Sequence, residues 1–247
     1  MKSLTLARYH FLSLWNWRSS YLGRFLEPIA YLVFLTAGLS AGRLEGSSSF
    51  LEYAMPGIIC FVAFRSATST VSDVANDRKW GVLAMYTMHG GSVRGYLASI
   101  LLFTSAVFVG QVALLIAIGT ALFGFGQLGG LTLVPMSCLA LVIVIGWASI
   151  GAAVGARVDS YAVRDLVVTV TALPVVLSAP LFYSLDFAPE YLRIIASANP
   201  LTYQVAWLRS VTESPLTASF WAAAWAVAAA TTALMALRFS ERLSRER

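Results

Sequence analysis

The chain has 247 residues, of which 58% are hydrophobic and 12% are charged, and its mean hydropathy is +0.75. A soluble domain is roughly 45–50% apolar, so this composition excludes a soluble globular protein and indicates an integral membrane protein. The formal net charge is +5, but the basic residues bracket the apolar segments and form no single patch, which argues against nucleic-acid binding.

Residues 1–20 predict an amphipathic helix that lies in the cytoplasmic interface of the membrane. At helical spacing Leu4 and Phe11 fall on an apolar side, while Lys2 and Asn16 fall on a polar side. Polar and basic side chains interrupt the apolar core that a cleavable signal peptide would need. An irregular start to the first membrane span is the alternative for this segment.

Six apolar runs follow, each near or above the roughly 20 residues that a bilayer requires. The predicted spans are 21–41, 51–71, 95–124, 131–155, 163–183 and 217–238. Most Lys and Arg residues fall on one side of this topology, which places both termini in the cytoplasm. We expect one all-α polytopic membrane domain, 1–247, divided into an interfacial helix (1–20), spans one and two (21–71), a cytoplasmic loop (72–94), spans three to five (95–183), an outer segment (184–216), and span six with a basic tail (217–247).

Charged residues near the first two spans need partners. Arg24 and Glu27 are three residues apart, and we expect them to pair with each other or with Arg18 in a structural role. Arg65 lies within the second span, where an ionisable group costs about 2.5–3.5 kcal/mol on insertion scales. It should face water, a carboxylate or lipid headgroups, and it is a candidate for the substrate path. The alternative is that it snorkels to the cytoplasmic side.

Aromatic side chains near Arg65 and near the end of the fifth span would line a path for a planar or amphipathic molecule. The candidates are Tyr31, Phe34, Phe61, Phe64, Phe182 and Tyr183. Packing inside the protein or contact with lipid is the alternative for each of them.

The connection after the second span, 72–94, is longer than a simple turn requires. It has an amphipathic middle, with Trp80 and Tyr86 as anchors for a partner, and then a Gly90-Gly91 break. Taken alone, these features fit an ordinary juxtamembrane amphipathic helix equally well.

Two pairs of glycines at a spacing of four residues predict close approach between helices. They are Gly126 with Gly130 and Gly151 with Gly155. Packing within one subunit is favoured over a dimer interface for both pairs.

The outer segment, 184–216, is too polar and too broken by proline to form one span. We expect two short, half-buried re-entrant helices, which survive at membrane depth only where protein or a water-filled cavity satisfies the backbone. Such a segment would act as an outer gate. Its predicted residues are Pro189, Asn199, Pro200, Tyr203 and Arg209.

Two of these segments resemble the ABC type-2 exporter permeases. From the end of the fifth span through the outer segment, the resemblance is carried by Ser178-Ala179, Leu181-Phe182, Pro189, Leu192, Asn199 to Tyr203, and Arg209. In the cytoplasmic loop it is carried by Asp77, Arg78, Gly81 and Leu83, with looser matches at Ser92 and Arg94. Lys79, Val82 and Gly90-Gly91 depart from the usual glutamate, threonine and proline of the family.

The resemblance implies a cytoplasmic coupling helix that meets a separate ATPase subunit. Its residues would be Asp77, Arg78, Lys79, Trp80, Gly81, Leu83 and Tyr86. The chain has no phosphate-binding loop of the Gly-x-x-x-x-Gly-Lys-Ser/Thr type, so ATP and Mg²⁺ would be bound by that partner. We therefore expect the chain itself to be no enzyme and to hold no cofactor or metal. The resemblance also implies a homodimer or a heterodimer with a related permease, in the bacterial inner membrane.

The function implied is outward transport of a hydrophobic or amphipathic compound, such as a drug or antibiotic, by alternating access. Export of a lipid-linked glycan or another lipid is the first alternative. An ion-coupled secondary transporter is a second, although such proteins usually need carboxylates deep in the spans, and here the acidic residues lie in loops or close to span ends. A sensor subunit that transports nothing is a third.

Overall fold

The structure, a computed structural model, describes residues 2–16, 18–35, 47–158 and 160–245. Within these ranges the regular elements are helices and there is no strand. The α-helices are α1 (Lys2–Asn16), α2 (Arg18–Ala30), α3 (Ser47–Lys79), α4 (Val82–Met88), α5 (Val93–Phe123), α6 (Leu133–Gly155), α7 (Tyr161–Ser178), α8 (Glu190–Ala198), α9 (Pro200–Arg209) and α10 (Pro215–Arg245).

Five stretches of the described helices are long and apolar enough to cross a membrane. They are Phe50–Lys79, Val93–Phe123, Gly130–Gly155, Tyr161–Ser178 and Pro215–Phe239. They correspond to the predicted second to sixth spans and confirm an all-α polytopic membrane protein. The predicted first span, 21–41, is described only to residue 35, where α2 continues into a π-helical turn (Tyr31–Leu35). A total of six spans therefore stays a prediction.

Helix α3 lies at the centre of the fold. It packs along α6, and α6 packs in turn along α10. Consecutive residues 58–63 of α3 are all buried, so this helix is apolar on every side and has neighbours all round. It has 33 residues, about 50 Å at the helical rise of 1.5 Å per residue. The structure thus extends the predicted second span by two turns, from 71 to Lys79.

The α3–α6 contact depends on two glycines of α6. A Cβ atom at Gly151 would collide with the carbonyl oxygen of Ala67, and one at Gly155 would lie 2.7 Å from the carbonyl oxygen of Val71. Glycine therefore lets the two backbones touch, as small residues commonly do in membrane helices. For this pair the structure confirms packing within one subunit.

The prediction of close helix approach at Gly126 and Gly130 is wrong. Both glycines belong to successive 3-10 turns, Gly126–Leu128 and Gly130–Thr132, in the short connection between α5 and α6. A Cβ atom on either of them would meet nothing within 4 Å. The spacing arises here from a tight turn, in which Gly130 has a φ of 56°, a conformation that favours glycine.

Helix α1 packs along α5 at the end of the molecule that carries α4. It buries Leu6 and Ala7 and leaves Leu4 and Leu12 exposed on its other side. The Nζ atom of Lys2 donates hydrogen bonds to two carbonyl oxygens just after α4. The structure shows a helix here; its amphipathic character and its place in the membrane interface stay predictions.

The glycine contact makes the first testable prediction. Replacing Gly151 with valine is expected to lower the free energy of unfolding by about 2 kcal/mol, because the added side chain must push α6 away from the backbone of α3. Thermal unfolding of the purified chain in detergent measures this effect. Gly126→Ala is the matched control and should leave the midpoint unchanged. Equal midpoints for both variants would show that the two backbones do not touch.

Candidate functional site

Helix α7 ends at Ser178, five residues before the predicted end of the fifth span at 183. The chain then becomes extended, and Leu181 is buried against α3. A Cβ atom at Gly57 of α3 would collide with the carbonyl group of Leu181, so glycine is what allows this close approach. The break after α7 is therefore fixed directly to the central helix.

Arg209, the last residue of α9, holds the same break from the other side. Its guanidinium donates hydrogen bonds to the carbonyl oxygens of Pro180 (3.0 Å) and Leu181 (3.3 Å). Its Cζ atom lies 3.9 Å from the ring centroid of Tyr53, whose hydroxyl donates to the carbonyl oxygen of Tyr183 (2.9 Å). Burial lowers the pKa of Arg209, but an arginine stays charged in such a site. One cation thus satisfies carbonyl groups that no helix satisfies.

Asn199 joins α7 to α9 through its side-chain amide. The Oδ1 atom accepts a hydrogen bond from the backbone N–H of Leu201 (3.0 Å), which caps α9, and Pro200 occupies the first helical position. The Nδ2 atom donates to the carbonyl oxygen of Val175 (2.7 Å) and to the hydroxyl of Ser178 (2.9 Å).

Two of the remaining predicted residues join α8 to this arrangement. The hydroxyl of Tyr203 donates to the carbonyl oxygen of Ser197 at the end of α8, and Pro189 precedes the first residue of α8. The structure therefore brings the predicted outer residues into one region around the break after α7. We call Asn199, Tyr203, Arg209 and their hydrogen-bond partners the outer network.

Sequence reasoning missed Tyr53 and a second member of this region. Gln204 of α9 is fully buried, and its Oε1 atom accepts a hydrogen bond from Nε1 of Trp147 (2.6 Å). The Trp147 ring also contacts the rings of Phe64 and Trp225. A glutamine within an apolar helix was the available signal, because a buried amide needs a partner.

At the opposite end of α3, the first two predicted coupling residues are turned inward. The buried carboxylate of Asp77 accepts a hydrogen bond from the hydroxyl of Tyr96 (2.8 Å) and lies 3.6 Å from Nε2 of His10. The guanidinium of Arg78 donates to the carbonyl oxygens of Ala156 and Val158 just after α6. These side chains fasten this end of α3 to its neighbours.

Some of the other predicted coupling residues hold α4 in place, and others are exposed. The Lys79 ammonium lies 3.6 Å from the centroid of the Tyr161 ring on α7. Gly81, with a φ of 73°, makes the turn into α4, where Leu83 is buried. The Tyr86 ring lies against Gly91, where it leaves no room for a Cβ atom.

Three large apolar side chains are exposed in this part of the molecule, beside the exposed polar residues Lys79, His89 and Arg94. Trp80 is 52% exposed, Met85 is 53% exposed and Met88 is 84% exposed. We call these three residues the α4 surface. The sequence prediction included Trp80 and missed both methionines, although their spacing of three residues places them on one side of a helix.

The charged residues of the first two spans pair between helices. Arg24 contacts Asp73 (3.2 Å), and Glu27 contacts Arg65 (2.9 Å). The prediction that Arg24 and Glu27 pair with each other is therefore wrong, because α3 supplies an opposite charge to each. Arg65 faces a carboxylate, which was one of its three predicted environments.

The predicted path aromatics occupy different environments. Phe61 and Phe64 are buried in the core, and Phe34 is exposed. The Tyr31 ring contacts Phe61, with centroids 4.6 Å apart, and lies parallel to the ring of Phe182 at 6.2 Å. Phe182 and Tyr183 also line an outer cavity of about 630 Å³, together with Phe50, Tyr53, Ser184, Phe187, Ala188, Pro189 and Leu192.

Comparison with known proteins shows the family of this chain. Residues 2–212 match the profile of the family described as ABC-2 type transporter. The chain belongs to the ABC-2 type transporter family. With its several apolar spans, this ABC-2 chain is a multi-pass membrane protein.

Relatives of this ABC-2 chain include proteins titled "Putative transport permease ycf38". The one from Cyanophora paradoxa is 26% identical over 195 residues, which cover 74% of this chain and 64% of the relative. The one from Porphyra purpurea is 23% identical over 208 residues, which cover 81% of this chain and 70% of the relative. The ABC-2 chain therefore spans less than two thirds of the length of the Cyanophora protein.

The outer network of this ABC-2 chain makes the second prediction. Arg209→Ala should lower the free energy of unfolding by about 2 kcal/mol, because the carbonyl groups of Pro180 and Leu181 lose a charged donor. It should also speed hydrogen exchange of the amides in residues 178–184. Thermal unfolding and exchange mass spectrometry measure the two effects. Arg193→Ala, which removes an exposed arginine of α8, is the control, and indistinguishable behaviour of the two variants would contradict the role of Arg209.

Proposed function

We propose that this chain is the membrane-spanning permease subunit of an ATP-driven exporter that moves a hydrophobic or amphipathic compound out of the cell. A separate ATPase subunit would bind ATP and Mg²⁺ and would contact the α4 surface. The observation that carries this proposal is the continuity of α3, which runs from α4 to the outer network. Membership of the ABC-2 type transporter family supports the same function.

The α4 surface has the composition of a protein-binding patch. Tryptophan and methionine are enriched at protein interfaces, and methionine adapts its shape to a partner. Leu83 and Tyr86 hold α4 against the rest of the protein, so its exposed side chains stand on a supported helix. A partner that binds there would act on a helix that is held rigidly in place.

A displacement of α4 would be transmitted almost directly to α3. Only Trp80 and Gly81 separate the two helices. The inner end of α3 is fastened by Asp77 to α5 and by Arg78 to the chain after α6. Movement of α4 would therefore tilt α3 together with its neighbours, a shear of packed helices.

The outer end of α3 contacts the segment that would open. Tyr53 binds the carbonyl group of Tyr183, and Gly57 touches Leu181. A tilt of α3 would move both contacts and change the outer network. Alternating access would follow if the outer network opens when the inner side closes.

The outer cavity favours an apolar cargo. Its volume of about 630 Å³ is within the range of sites for drug-sized ligands. Its lining is aromatic and aliphatic apart from one serine, which suits a hydrophobic compound better than the polar sugars of a glycan.

In the proposed arrangement both termini lie in the cytoplasm of a bacterial cell, and a second permease subunit, identical or related, completes the path.

The α4 surface makes the third prediction. Met88→Asp should lower recovery of the ATPase subunit at least about tenfold when the two proteins are co-expressed and purified through the permease, because a charge replaces the apolar contact. Met88→Leu keeps an apolar side chain of similar size and should retain the ATPase.

Both variants must reach the membrane at wild-type levels, which a quantitative blot of the membrane fraction establishes. If Met88→Asp retains the ATPase as well as Met88→Leu does, α4 is not where the ATPase binds.

A further inference from the structure

Helix α2 contains a buried proline, Pro28, two residues before its end at Ala30. Proline has no backbone N–H, so the carbonyl oxygen of Arg24, four residues earlier, lacks the hydrogen bond that residue 28 donates in a regular helix. A π-helical turn, Tyr31–Leu35, follows directly. Sharp bends in helices occur mainly at prolines and at π-helical turns, and here the two are adjacent.

Gln111 of α5 supplies a donor in place of the one that Pro28 lacks. Its Nε2 atom donates a hydrogen bond to the carbonyl oxygen of Arg24 at 2.8 Å. The Gln111 side chain is buried in an otherwise apolar helix, where an amide needs a partner. Membrane helices tolerate proline where a neighbouring helix satisfies the freed carbonyl group, and Gln111 does so for α2.

Two ion pairs hold the part of α2 that precedes Pro28. Arg24 contacts Asp73 (3.2 Å) and Glu27 contacts Arg65 (2.9 Å), and none of these four side chains is more than 34% exposed. Partly buried pairs are screened less than pairs on the surface. The order of the charges is opposite in the two pairs, so the pairs also fix the register of α2 on α3. Residues 18–27 are therefore held in place by directional contacts.

The part that follows Pro28 has apolar contacts. Leu32 is fully buried, and the Tyr31 ring contacts Phe61 and lies parallel to the ring of Phe182. Apolar contacts are not directional, so these surfaces can slide where the ion pairs cannot. Because Phe182 also lines the outer cavity, residues 29–35 support one wall of that cavity.

A small cavity, of about 30 Å³, lies at the junction of the two parts. Its lining includes Pro28, Arg65, Ser66, Thr104 and Gln111, and it has room for a water molecule. Closely packed interiors resist movement, whereas a polar space beside the proline ring gives the ring room to shift. The two parts of α2 thus meet where a backbone hydrogen bond is missing and the packing is loose.

We propose that Pro28 and Gln111 form a hinge in α2, at which residues 29–35 bend relative to residues 18–27. The side chain of Gln111 gives the Arg24 carbonyl a hydrogen bond that can break and re-form while the helix before it stays bound to α3. Bending moves Tyr31 against Phe182 and changes the width of the outer cavity. The hinge is a property of this chain alone, and its use to admit cargo rests on the proposed function.

Four forms of the full chain in phosphatidylcholine nanodiscs test the role of Gln111: the unaltered chain, Gln111→Met, Pro28→Ala, and the two changes combined. Gln111→Met keeps the length of the side chain and removes the donor, and it should lower the thermal unfolding midpoint by about 2–4 °C. Pro28→Ala restores the backbone donor. In that background Gln111→Met should therefore lower the midpoint by less than half as much.

The matched control is Gln127→Met, which removes an exposed amide in the 3-10 turn Gly126–Leu128 and should leave the midpoint unchanged. Pro28→Leu also restores the N–H donor, and it replaces Pro28→Ala if that variant does not fold. A loss of half or more when the backbone donor is present would show that Gln111 does not substitute for it.

The bending itself is measured by the reaction of a single cysteine, Leu192→Cys in the outer cavity, with a maleimide. The chain carries alanine at positions 60 and 138, and neither ATP nor an ATPase is present. Gln111→Met frees the hinge and should raise the reaction rate about fivefold, as loss of one hydrogen bond from the closed form would do. Pro28→Ala makes the helix continuous and should lower the rate.

Phe187→Cys is the control for this measurement, because Phe187 is already 94% exposed and its rate should not change. Equal rates at Leu192→Cys in the three backgrounds, or a faster rate with Pro28→Ala, would overturn the hinge. Both measurements are made without the ATPase, so the hinge can fail while the α4 surface binds its partner. The converse also holds, and the two proposals are therefore tested separately.

Discussion

The contact between the backbones of α3 and α6 is the constraint on which the rest of the structure depends. Lipid is as apolar as a leucine side chain, so helices in a membrane associate through close packing and polar contacts. Gly151 and Gly155 provide that packing. Because glycine has no Cβ atom, the carbonyl groups of α3 can lie directly on α6. Helix α10 packs on the far side of α6, and α3 is thereby held at the centre of the molecule.

A buried, continuous α3 gives the two ends of the molecule a common support. At its inner end Asp77 and Arg78 bind the neighbouring helices, and the exposed surface of α4 follows directly. At its outer end Tyr53 and Gly57 contact the break after α7, which Arg209 holds from the opposite side. In the proposed exporter, force would enter at one end of this helix and change contacts at the other.

Much of this architecture could be predicted from the sequence, because backbone groups in a membrane must be satisfied within helices and hydropathy therefore marks the spans. The outer segment was also predictable, since proline and the Asn199 cap act on adjacent residues. The partners of individual side chains could not be predicted from the sequence. The pairing of Glu27 with Arg65 joins residues 38 apart, and local spacing suggested Arg24 in its place. A motif likewise gives the position of Asp77 but not its inward direction.

The membrane sidedness of the two ends is the central requirement of this mechanism. It can be measured with single cysteines at Met88 on α4 and at Phe187 in the outer segment, in a chain where Cys60 and Cys138 are replaced by alanine; Met88 is 84% exposed and Phe187 is 94% exposed. A membrane-impermeant maleimide applied to intact cells should label Phe187→Cys, and it should label Met88→Cys only after the cells are permeabilised. Labelling of Met88→Cys in intact cells would place α4 outside the cytoplasm, where no ATPase could reach it.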